Sequence, residues 1–400
     1  MITDLLAAAQ ELLGPVIDLR RRIHAQPEVG LQLPVTQGTI LEALAGLGLE
    51  VSTGTATTSV VGVLEGSRPG PTTLLRGDMD ALPMPEDTGL DFSSTVDGAM
   101  HACGHDAHVA MLVGAAWLLA GRRHDVPGRV VFMFQPGEEG HGGASLMLEE
   151  GLLDRHGHVD RAFAIHVHPV WPSGRVYTRG GPLMASSDDF RVTVRGSGGH
   201  ASMPNDAVDP VPVACELVTS LQAMVTRRVP IFDPTVLTVS RISAGTTFNV
   251  IPEVAVIEGT VRALSAPTRS LVFENLGRVA QHVAEAHLCQ AEVETTFDDK
   301  PHDDLPVGYP VTVNNASAAE RTLDVARTIV GDGGAIRMPN PLMGAEDWSY
   351  VLQRVPGSMA FLGVAPPGVE RPAPNHSNRM VIDERAMAVG IALHSAMALS

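Results

Sequence analysis

Apolar residues in the first part of the chain recur at two spacings, one typical of helices and one typical of buried strands. Over residues 2–24 they lie three or four positions apart, which predicts an amphipathic opening helix. Beyond it, short apolar runs predict strands, and helical patterns separate them. The predicted strands are residues 59–64, 72–76, 130–134 and 162–167, with helices at 107–119 and 144–148. This alternation predicts an α/β fold in which helices flank a mixed, mainly parallel sheet.

The chain is long enough for two hydrophobic cores, because one core usually stops growing at about 250–300 residues and this chain has 400. Turn-rich segments at Gly180-Gly181-Pro182 and Asp298-Asp299-Lys300-Pro301 are typical of joints around an inserted domain. We therefore expect one domain of residues 1–182 and 300–400 and an inserted domain of residues 183–299.

Within the inserted domain the predicted order is strand, helix, strand, strand, helix, strand, which is the ferredoxin-like α+β order. These six elements are predicted at residues 189–195, 210–227, 236–242, 254–264, 265–287 and 291–297. The closing part of the chain is expected to return to the first domain. It adds a helix at 318–330, a strand at 359–364 and a helix at 384–397.

Charge and cysteine content limit the partners and the compartment. A formal net charge of −17 argues against nucleic acid, because binding phosphates requires clustered lysine and arginine. The basic run Arg20-Arg21-Arg22 is expected on a solvated helix face. The first residues lack the order of a signal peptide, and no run reaches the about 18 apolar residues of a membrane span. Three dispersed cysteines, Cys103, Cys215 and Cys289, favour reduced thiols. We expect a cytoplasmic protein with no membrane partner.

Three of the predicted strands lead into acidic residues or histidine. Asp78 and Asp80 follow the second strand, Glu138-Glu139 follows the third, and His166 closes the fourth. Ligands of such sheets collect beyond the carboxyl ends of the strands, so these residues are expected to share one crevice. The two aspartates face the same side of an extended chain, and one of them is placed to orient a ligand imidazole. Capping carboxylates in a turn are the alternative.

Cys103 and His105 lie two residues apart just before a predicted helix. Taken alone, the pair favours a buried thiol beside a helix-capping histidine. Glu138-Glu139 changes this, since a thiolate, an imidazole and a carboxylate bind a divalent transition metal well while a second carboxylate moves protons. Spacing leaves open which glutamate does which, and a solvated acidic turn is the alternative. His376, in a loop, is a further ligand candidate. The set predicts metal-assisted hydrolysis.

These motifs together resemble the metallo-amidohydrolases that include hippurate hydrolases, bacterial N-acyl-amino-acid amidohydrolases and plant indoleacetyl-amino-acid hydrolases, within the aminoacylase and glutamate-carboxypeptidase superfamily. The resemblance runs almost from end to end. The matching segments are Arg22-Ile23-His24-Ala25-Gln26-Pro27-Glu28, Gly77-Asp78-Met79-Asp80-Ala81-Leu82-Pro83, Cys103-Gly104-His105, Glu138-Glu139, Ile165-His166, Ser197-Gly198-Gly199-His200-Ala201, Asn249-Val250-Ile251-Pro252, Met343-Gly344-Ala345-Glu346-Asp347 and Asn375-His376-Ser377.

The resemblance implies two neighbouring divalent metal ions held by five residues. These are Cys103, His105, Glu139, His166 and His376. It further implies that Glu138 is the general acid and base and that Asp80 supports the ligands from behind. The inserted domain is implied to serve as lid and dimerisation domain of a homodimer, in which His200 holds the scissile carbonyl oxygen in the partner's active site. Asn249 and Arg262 resemble the groups that bind the substrate carboxylate.

The implied reaction is hydrolysis of the amide bond of a small-molecule N-acyl amino acid, with acetyl, benzoyl or a similar acyl group. Manganese and zinc fit such a site, with nickel and cobalt as further options. A cysteine among the ligands indicates the hippurate and indoleacetyl branch rather than the carboxypeptidase branch. A dipeptidase or a deacylase of a biosynthetic intermediate is the enzymatic alternative. The non-enzymatic alternative is a catalytically inactive metal-binding or ligand-binding protein, which would lack the proton-moving glutamate, whereas Glu138 is present.

Overall fold

The structure is a computed structural model that describes residues 4–155, 157–297 and 307–400. The chain divides into two compact units. The first consists of Met1–Leu183, Val313–Asn340 and Asp347–Ser400, and the second of Met184–Thr312 and Pro341–Glu346. The second unit therefore interrupts the first in the sequence. The predicted joint Asp298-Asp299-Lys300-Pro301 lies outside the described residues.

Helices and strands of the described residues follow the chain in this order. Up to the second unit they are α1 (Leu5–His24), α2 (Pro34–Leu44), β1 (Glu50–Thr53), β2 (Val60–Glu65), β3 (Arg68–Asp78), α3 (His105–Gly121), β4 (Pro127–Gln135), α4 (Gly143–Glu149), α5 (Leu152–Arg155), β5 (Arg161–His168), β6 (Val176–Thr178) and β7 (Gly181–Met184). The second unit contributes β8 (Asp188–Arg195), β9 (Gly199–His200), α6 (Pro210–Arg228), β10 (Thr235–Ala244), β11 (Val250–Ile251), β12 (Val254–Ala263), α7 (Ala266–Ala286) and β13 (Gln290–Thr295). The remaining elements are β14 (Thr312–Asn314), α8 (Ala316–Val330), β15 (Ala335–Arg337), α9 (Trp348–Leu352), β16 (Gly357–Gly363) and α10 (Met387–Leu399).

The first unit is built on an eight-stranded sheet with the order β1-β2-β4-β3-β5-β16-β6-β15. The four central strands β4, β3, β5 and β16 run parallel to one another, whereas β1 and β2 are antiparallel additions at one edge. This confirms the predicted α/β class with a mixed, mainly parallel sheet flanked by helices. Because β3, β4 and β5 are parallel neighbours, their carboxyl ends meet at the same edge of the sheet.

Helix α3 is buried on nearly all sides, which its apolar sequence requires. It packs against α1, α10 and strand β3, and only one residue before its last turn is not buried. The helix begins at His105, directly after Gly104 in the left-handed conformation. A long buried helix of this kind fixes its first turn firmly, and that turn lies beside the carboxyl end of β3.

The second unit contains a four-stranded antiparallel sheet with the order β10-β12-β8-β13, which packs against α6 and α7. Burial alternates residue by residue along β8 and β12, as expected for strands with one face on a core. The six predicted elements appear in the predicted order, so the structure confirms the ferredoxin-like arrangement. Its core is formed by residues such as Phe190, Leu217, Ile257 and Leu276.

The basic run of α1 is exposed in part, and the helices of the described residues were expected not to span a membrane. Arg21 and Arg22 are exposed, as expected, but the prediction is wrong for Arg20, whose side chain is only 2% exposed. Its Nε donates to Asp106 Oδ2 at 2.8 Å. The Asp106 carboxylate thus stabilises the guanidinium charge, which was expected to be solvated by water. Over the described ranges, no helix combines the length and the apolar character needed to cross a membrane.

Candidate metal centre

The carboxyl edge of the central sheet brings together the site residues predicted in the first unit. Asp78 ends β3, Glu138-Glu139 follows β4 after a short loop, and His166 lies in β5. His105 begins α3 at the same edge. His376 joins them from a loop after β16, where its backbone N–H donates to Ala102 O at 2.7 Å.

The ligand atoms of the five predicted metal-binding residues converge. Cys103 Sγ lies 3.4 Å from His166 Nε2, and His376 Nε2 lies 3.2 Å from Glu139 Oε1. His105 Nε2 is 3.9 Å from both a Glu138 and a Glu139 carboxylate oxygen. Three overlapping groups can be distinguished, and within each of them the ligand atoms lie within 4.8 Å of one another. The first group is Cys103, His105 and His166, the second is Cys103, Glu139 and His376, and the third is His105, Glu138 and Glu139.

Backbone contacts orient two of the imidazoles toward the centre of this cluster. His105 Nδ1 lies 2.8 Å from the Asp80 carbonyl oxygen, and His166 Nδ1 lies 2.8 Å from the Val167 carbonyl oxygen. A carbonyl oxygen only accepts, so Nδ1 of each ring is the donor. In the neutral ring Nε2 then keeps a lone pair, which is the state that a metal ligand needs.

Asp80 holds the paired glutamates through their backbone. Its Oδ1 accepts the N–H of Glu138 at 3.0 Å and its Oδ2 accepts the N–H of Glu139 at 2.9 Å. The same carboxylate lies 3.4 Å from His105 Nδ1. Asp80 is almost fully buried, so these contacts are not exchanged for water. Its position supports the role that the sequence resemblance implied for it.

Electrostatics at the centre favour positive charge. Hydrogen bonds to Cys103 and Glu139 raise the pKa of His376 to about 10. Burial alone would lower the pKa of His105, but the Asp78 carboxylate and the Cys103 thiolate raise it well above its usual value. Burial, and then the Glu139 carboxylate, raise the pKa of the Cys103 thiol. A cluster of anionic groups that raises the pKa of two of its histidines is one that a cation stabilises.

The donor set also fits a metal ion. Within the described part of the chain, the buried His105 Nε2 has no hydrogen-bond partner, and it faces Glu139 Oε1 at 3.9 Å. An unpartnered buried polar atom is costly, and a metal ion about 2.0–2.3 Å away would satisfy this nitrogen together with its neighbouring ligand atoms. Sulfur, nitrogen and carboxylate oxygen together suit a divalent transition metal rather than calcium.

A further group of Asp78, His105 and His108 also has ligand atoms close together, but its hydrogen bonds argue against metal binding. His108 Nδ1 donates to Asp78 Oδ1 at 2.5 Å, and its Nε2 accepts the N–H of Val167 at 2.8 Å. Both ring nitrogens are therefore used. Asp78 is also paired with Arg76 at 2.8 Å. Sequence reasoning missed His108, although its position three residues after His105 on one helix face was a usable signal.

Gly104 is the residue that allows Cys103 and His105 to face one centre. Its φ of +87° is unfavourable for other residues, and a Cβ there would lie 2.3 Å from Val167 Cγ2. We expect Gly104→Ala to lower the melting temperature and the metal content. Gly121→Ala, at the other end of the same helix and with open space around it, is the control and should leave both measurements unchanged. Equal melting temperatures and equal metal contents in the two variants would contradict this role of Gly104.

The predicted substrate-binding residues lie in the second unit, where His200 is exposed and its strand β9 pairs with β11. Ser202 N donates to His200 Nδ1 at 3.1 Å, so in the neutral ring Nε2 carries the proton and is a donor. Asn249 is exposed, and its backbone carbonyl oxygen accepts the backbone N–H of Ala201 at 3.1 Å. This hydrogen bond keeps Asn249 beside His200. Arg262 is half-buried in β12, and burial lowers its pKa against the opposing effect of Asp189.

A parallel-sheet edge that joins a thiolate, imidazoles and carboxylates, with one carboxylate beside them for proton transfer, defines a metal-dependent hydrolase. The comparison with protein families agrees. The chain belongs to peptidase family M20/M25/M40, whose Peptidase_M20 model matches residues 74–400. The resemblance and the enzyme class inferred from the sequence are thereby confirmed.

Several relatives are similar over nearly their whole length. Thermostable carboxypeptidase 1 of Saccharolobus solfataricus is 36% identical, with 96% of this chain and 94% of the relative covered. IAA-amino acid hydrolase ILR1-like 2 of Arabidopsis thaliana is 37% identical, with 98% and 86% covered. N-acetylcysteine deacetylase of Bacillus subtilis is 36% identical, with 94% and 93% covered.

Solved structures agree with the fold. A putative aminohydrolase from methicillin-resistant Staphylococcus aureus superposes with a TM-score of 0.91 at 31% identity, and the match covers 100% of this chain and 99% of that one. The Bacillus subtilis YXEP protein, described as a dinuclear metal binding peptidase of the M20 family, gives a TM-score of 0.81 at 32% identity, covering 97% and 98%.

Proposed function

We propose that the protein hydrolyses the amide bond of N-acyl amino acids and releases a carboxylic acid and an amino acid. The observation that carries this proposal is the convergence of Cys103, His105, Glu139, His166 and His376 beside Glu138. Among the relatives are a deacetylase of N-acetylcysteine and a hydrolase of IAA-amino acid conjugates. Both names describe an amide between an acyl group and an amino acid.

In this proposal the five converging residues hold two divalent ions, with manganese or zinc as the first choice and nickel or cobalt as further options. When bound, the ions supply Lewis-acid polarisation and lower the pKa of water from 15.7 toward about 7. The protein side chains transfer the proton and orient the group that carries it. The buried carboxylate of Glu138 accepts a proton from the attacking water and later donates it to the departing amine nitrogen. Asp80 keeps that carboxylate in place through the two backbone N–H bonds described above.

The second unit is proposed to supply the substrate contacts. His200 Nε2–H is an exposed donor suited to the carbonyl oxygen, which gains negative charge as the tetrahedral intermediate forms. Asn249 and Arg262 are proposed to bind the substrate carboxylate, for which a guanidinium is well suited. As in the resemblance that suggested it, we assign His200 to the active site of the partner subunit of a homodimer.

Two features of the second unit support a homodimer. Strand β10 lies at an edge of its sheet, where unpaired backbone groups can join a second chain. Large apolar side chains are exposed on this strand, among them Val236 at 42% and Ile242 at 52%, and just before it, where Ile231 is 83% and Phe232 is 94% exposed. Such a group of exposed apolar residues is typical of an interface.

Mixing two inactive variants tests the exchange of His200 between subunits. Glu138→Gln and His200→Ala chains, each inactive alone, are expected to regain activity after subunit exchange, because a hybrid contains one active site with both residues intact. Subunit exchange is followed by mass spectrometry of differently labelled chains. Hybrids that form but stay inactive would show that His200 does not act across the interface.

A substrate panel tests the reaction itself. Chelated protein, restored with each divalent metal in turn, is assayed on N-acetyl, benzoyl and indoleacetyl amino acids and on dipeptides. Release of the amino acid from N-acyl substrates is the expected result. Faster turnover of dipeptides would favour the peptidase alternative, which the carboxypeptidase relative also represents. Metal binding without hydrolysis of any substrate would favour the non-enzymatic alternative.

All three cysteines are free thiols in the structure. Because thiols persist in a reducing compartment, we also propose a cytoplasmic location.

A further inference from the structure

A buried ion-pair network connects the C-terminal end of α1 to the first turn of α3. Asp106 Oδ2 accepts from Arg20 Nε at 2.8 Å and from His24 Nδ1 at 2.7 Å. None of the three side chains is more than 2% exposed. His24 belongs to the motif of residues 22–28, and Arg20 lies two residues before that motif on the same helix. Neither the fold nor the proposed chemistry has so far given these two residues a role.

The network is anchored further in the first unit. Arg20 Nη1 donates to Glu384 Oε1 at 2.9 Å, just before α10, and His24 Nε2 lies 3.2 Å from Glu86 Oε1. The ring of Phe92 lies 5.5 Å from both the His24 ring and the Arg20 guanidinium, and it covers them. Burial alone would lower the pKa of His24, but the neighbouring carboxylates raise it to about 9. At neutral pH both ring nitrogens therefore donate.

Asp106 follows the predicted ligand His105 directly and lies three residues after the predicted ligand Cys103. The backbone between these ligands contains only Gly104, whose carbonyl oxygen accepts the N–H groups of Ala107 and His108. Any rotation or shift of the first turn of α3 therefore moves both ligands. The Cys103 carbonyl oxygen in turn accepts from the side chain of Asn375, which precedes His376.

Stability alone is a poor explanation for such a network. Replacing a buried ion pair by well-packed apolar side chains is often neutral or stabilising, because desolvation offsets the attraction. What the charged groups supply is direction, since the two donors Arg20 Nε and His24 Nδ1 hold Asp106 Oδ2 in one position. Here that position is the start of the metal-binding helix.

We propose that Arg20 and His24, acting through Asp106, are positioning residues that hold the Cys103-Gly104-His105 loop in its metal-binding geometry. Their removal therefore lowers metal affinity even when the fold is retained. This inference rests on the proposed metal-dependent function.

The test compares Asp106→Asn with a matched control, Asp188→Asn. Asp188 is also fully buried and paired with an arginine, Arg269 Nε at 2.8 Å, but it lies in the second unit. Zinc affinity is measured by competition with a chromophoric chelator. The absorption spectrum is recorded for the cobalt-loaded protein, and the melting temperature is measured for the metal-free protein. Asp106→Asn is expected to weaken zinc binding by about 10–100-fold, as the loss of a residue supporting a ligand does. It should also shift the thiolate-to-cobalt absorption of Cys103.

Asp188→Asn is expected to lower the melting temperature while leaving zinc affinity and the cobalt spectrum as in the wild type. His24→Ala, which removes one of the two donors to Asp106, provides a second variant with a smaller loss of affinity should Asp106→Asn not fold. Wild-type zinc affinity in a folded Asp106→Asn or His24→Ala protein would overturn the inference, as would an equal loss in Asp188→Asn. A wild-type chain that binds no divalent ion would instead contradict the proposed function.

Discussion

Replacing Glu138 by glutamine is expected to lower kcat by roughly 10²–10⁴-fold, the range that a positioned general acid and base contributes. Glutamine has the same shape as glutamate but neither accepts nor returns a proton at neutral pH. The backbone N–H of residue 138 still donates to Asp80, so the loop and the proposed metal ligand Glu139 should stay in place. Metal content, measured by mass spectrometry of the purified protein, should remain close to that of the wild type.

Glu149→Gln is the matched control, because Glu149 is an exposed glutamate in α4. It should leave both kcat and metal content unchanged. Wild-type turnover in Glu138→Gln with metal bound would remove Glu138 from the proton-transfer role. A large loss of metal in that variant would instead assign Glu138 to the ligand set.

Cys103→Ala is expected to cause a large loss of metal affinity. Cys103 belongs to two of the three overlapping ligand groups, together with His105 and His166 in one and with Glu139 and His376 in the other. Its removal therefore takes a donor from both, and the loss of affinity should exceed the roughly 10–100-fold caused by removing a residue that only supports ligands. Equilibrium dialysis against buffered zinc measures this loss, and hydrolysis of an N-acyl amino acid should fall with it.

The chain offers a control at Cys215, an exposed thiol in α6. Cys215→Ala should bind zinc as the wild type does. Retention of two tightly bound ions in Cys103→Ala would contradict the assignment of the thiolate as a ligand.

The sequence was informative where a short pattern reflects a local rule. Apolar runs marked β2 to β5, and the rule that ligands gather beyond the carboxyl ends of parallel strands led to Glu138 and His166. Their neighbours Cys103 and His105 gained weight from that rule, since the pair alone favoured a structural role. Strands of three residues, such as β6 and β15, were missed because three residues cannot display a period.

Other features depend on partners that are distant in the sequence. Arg20 was expected in solvent because it belongs to a basic run in an amphipathic helix, whereas its buried partner Asp106 is 86 residues away in the sequence. The tautomers of His105 and His166 follow from carbonyl groups whose position only the folded chain defines. The same holds for His108, whose two nitrogens are engaged by β3 and β5.

The position of β16 has a consequence for biosynthesis. This strand, formed by residues 357–363, lies between β5 and β6 in the sheet although the whole second unit separates it from them in sequence. While the polypeptide is leaving the ribosome, β5 therefore has an open edge until the second unit and β16 have been synthesised. His376 emerges later still. A nascent chain cannot complete its metal site before the whole second unit has been made, so metal loading is expected to follow synthesis of that unit.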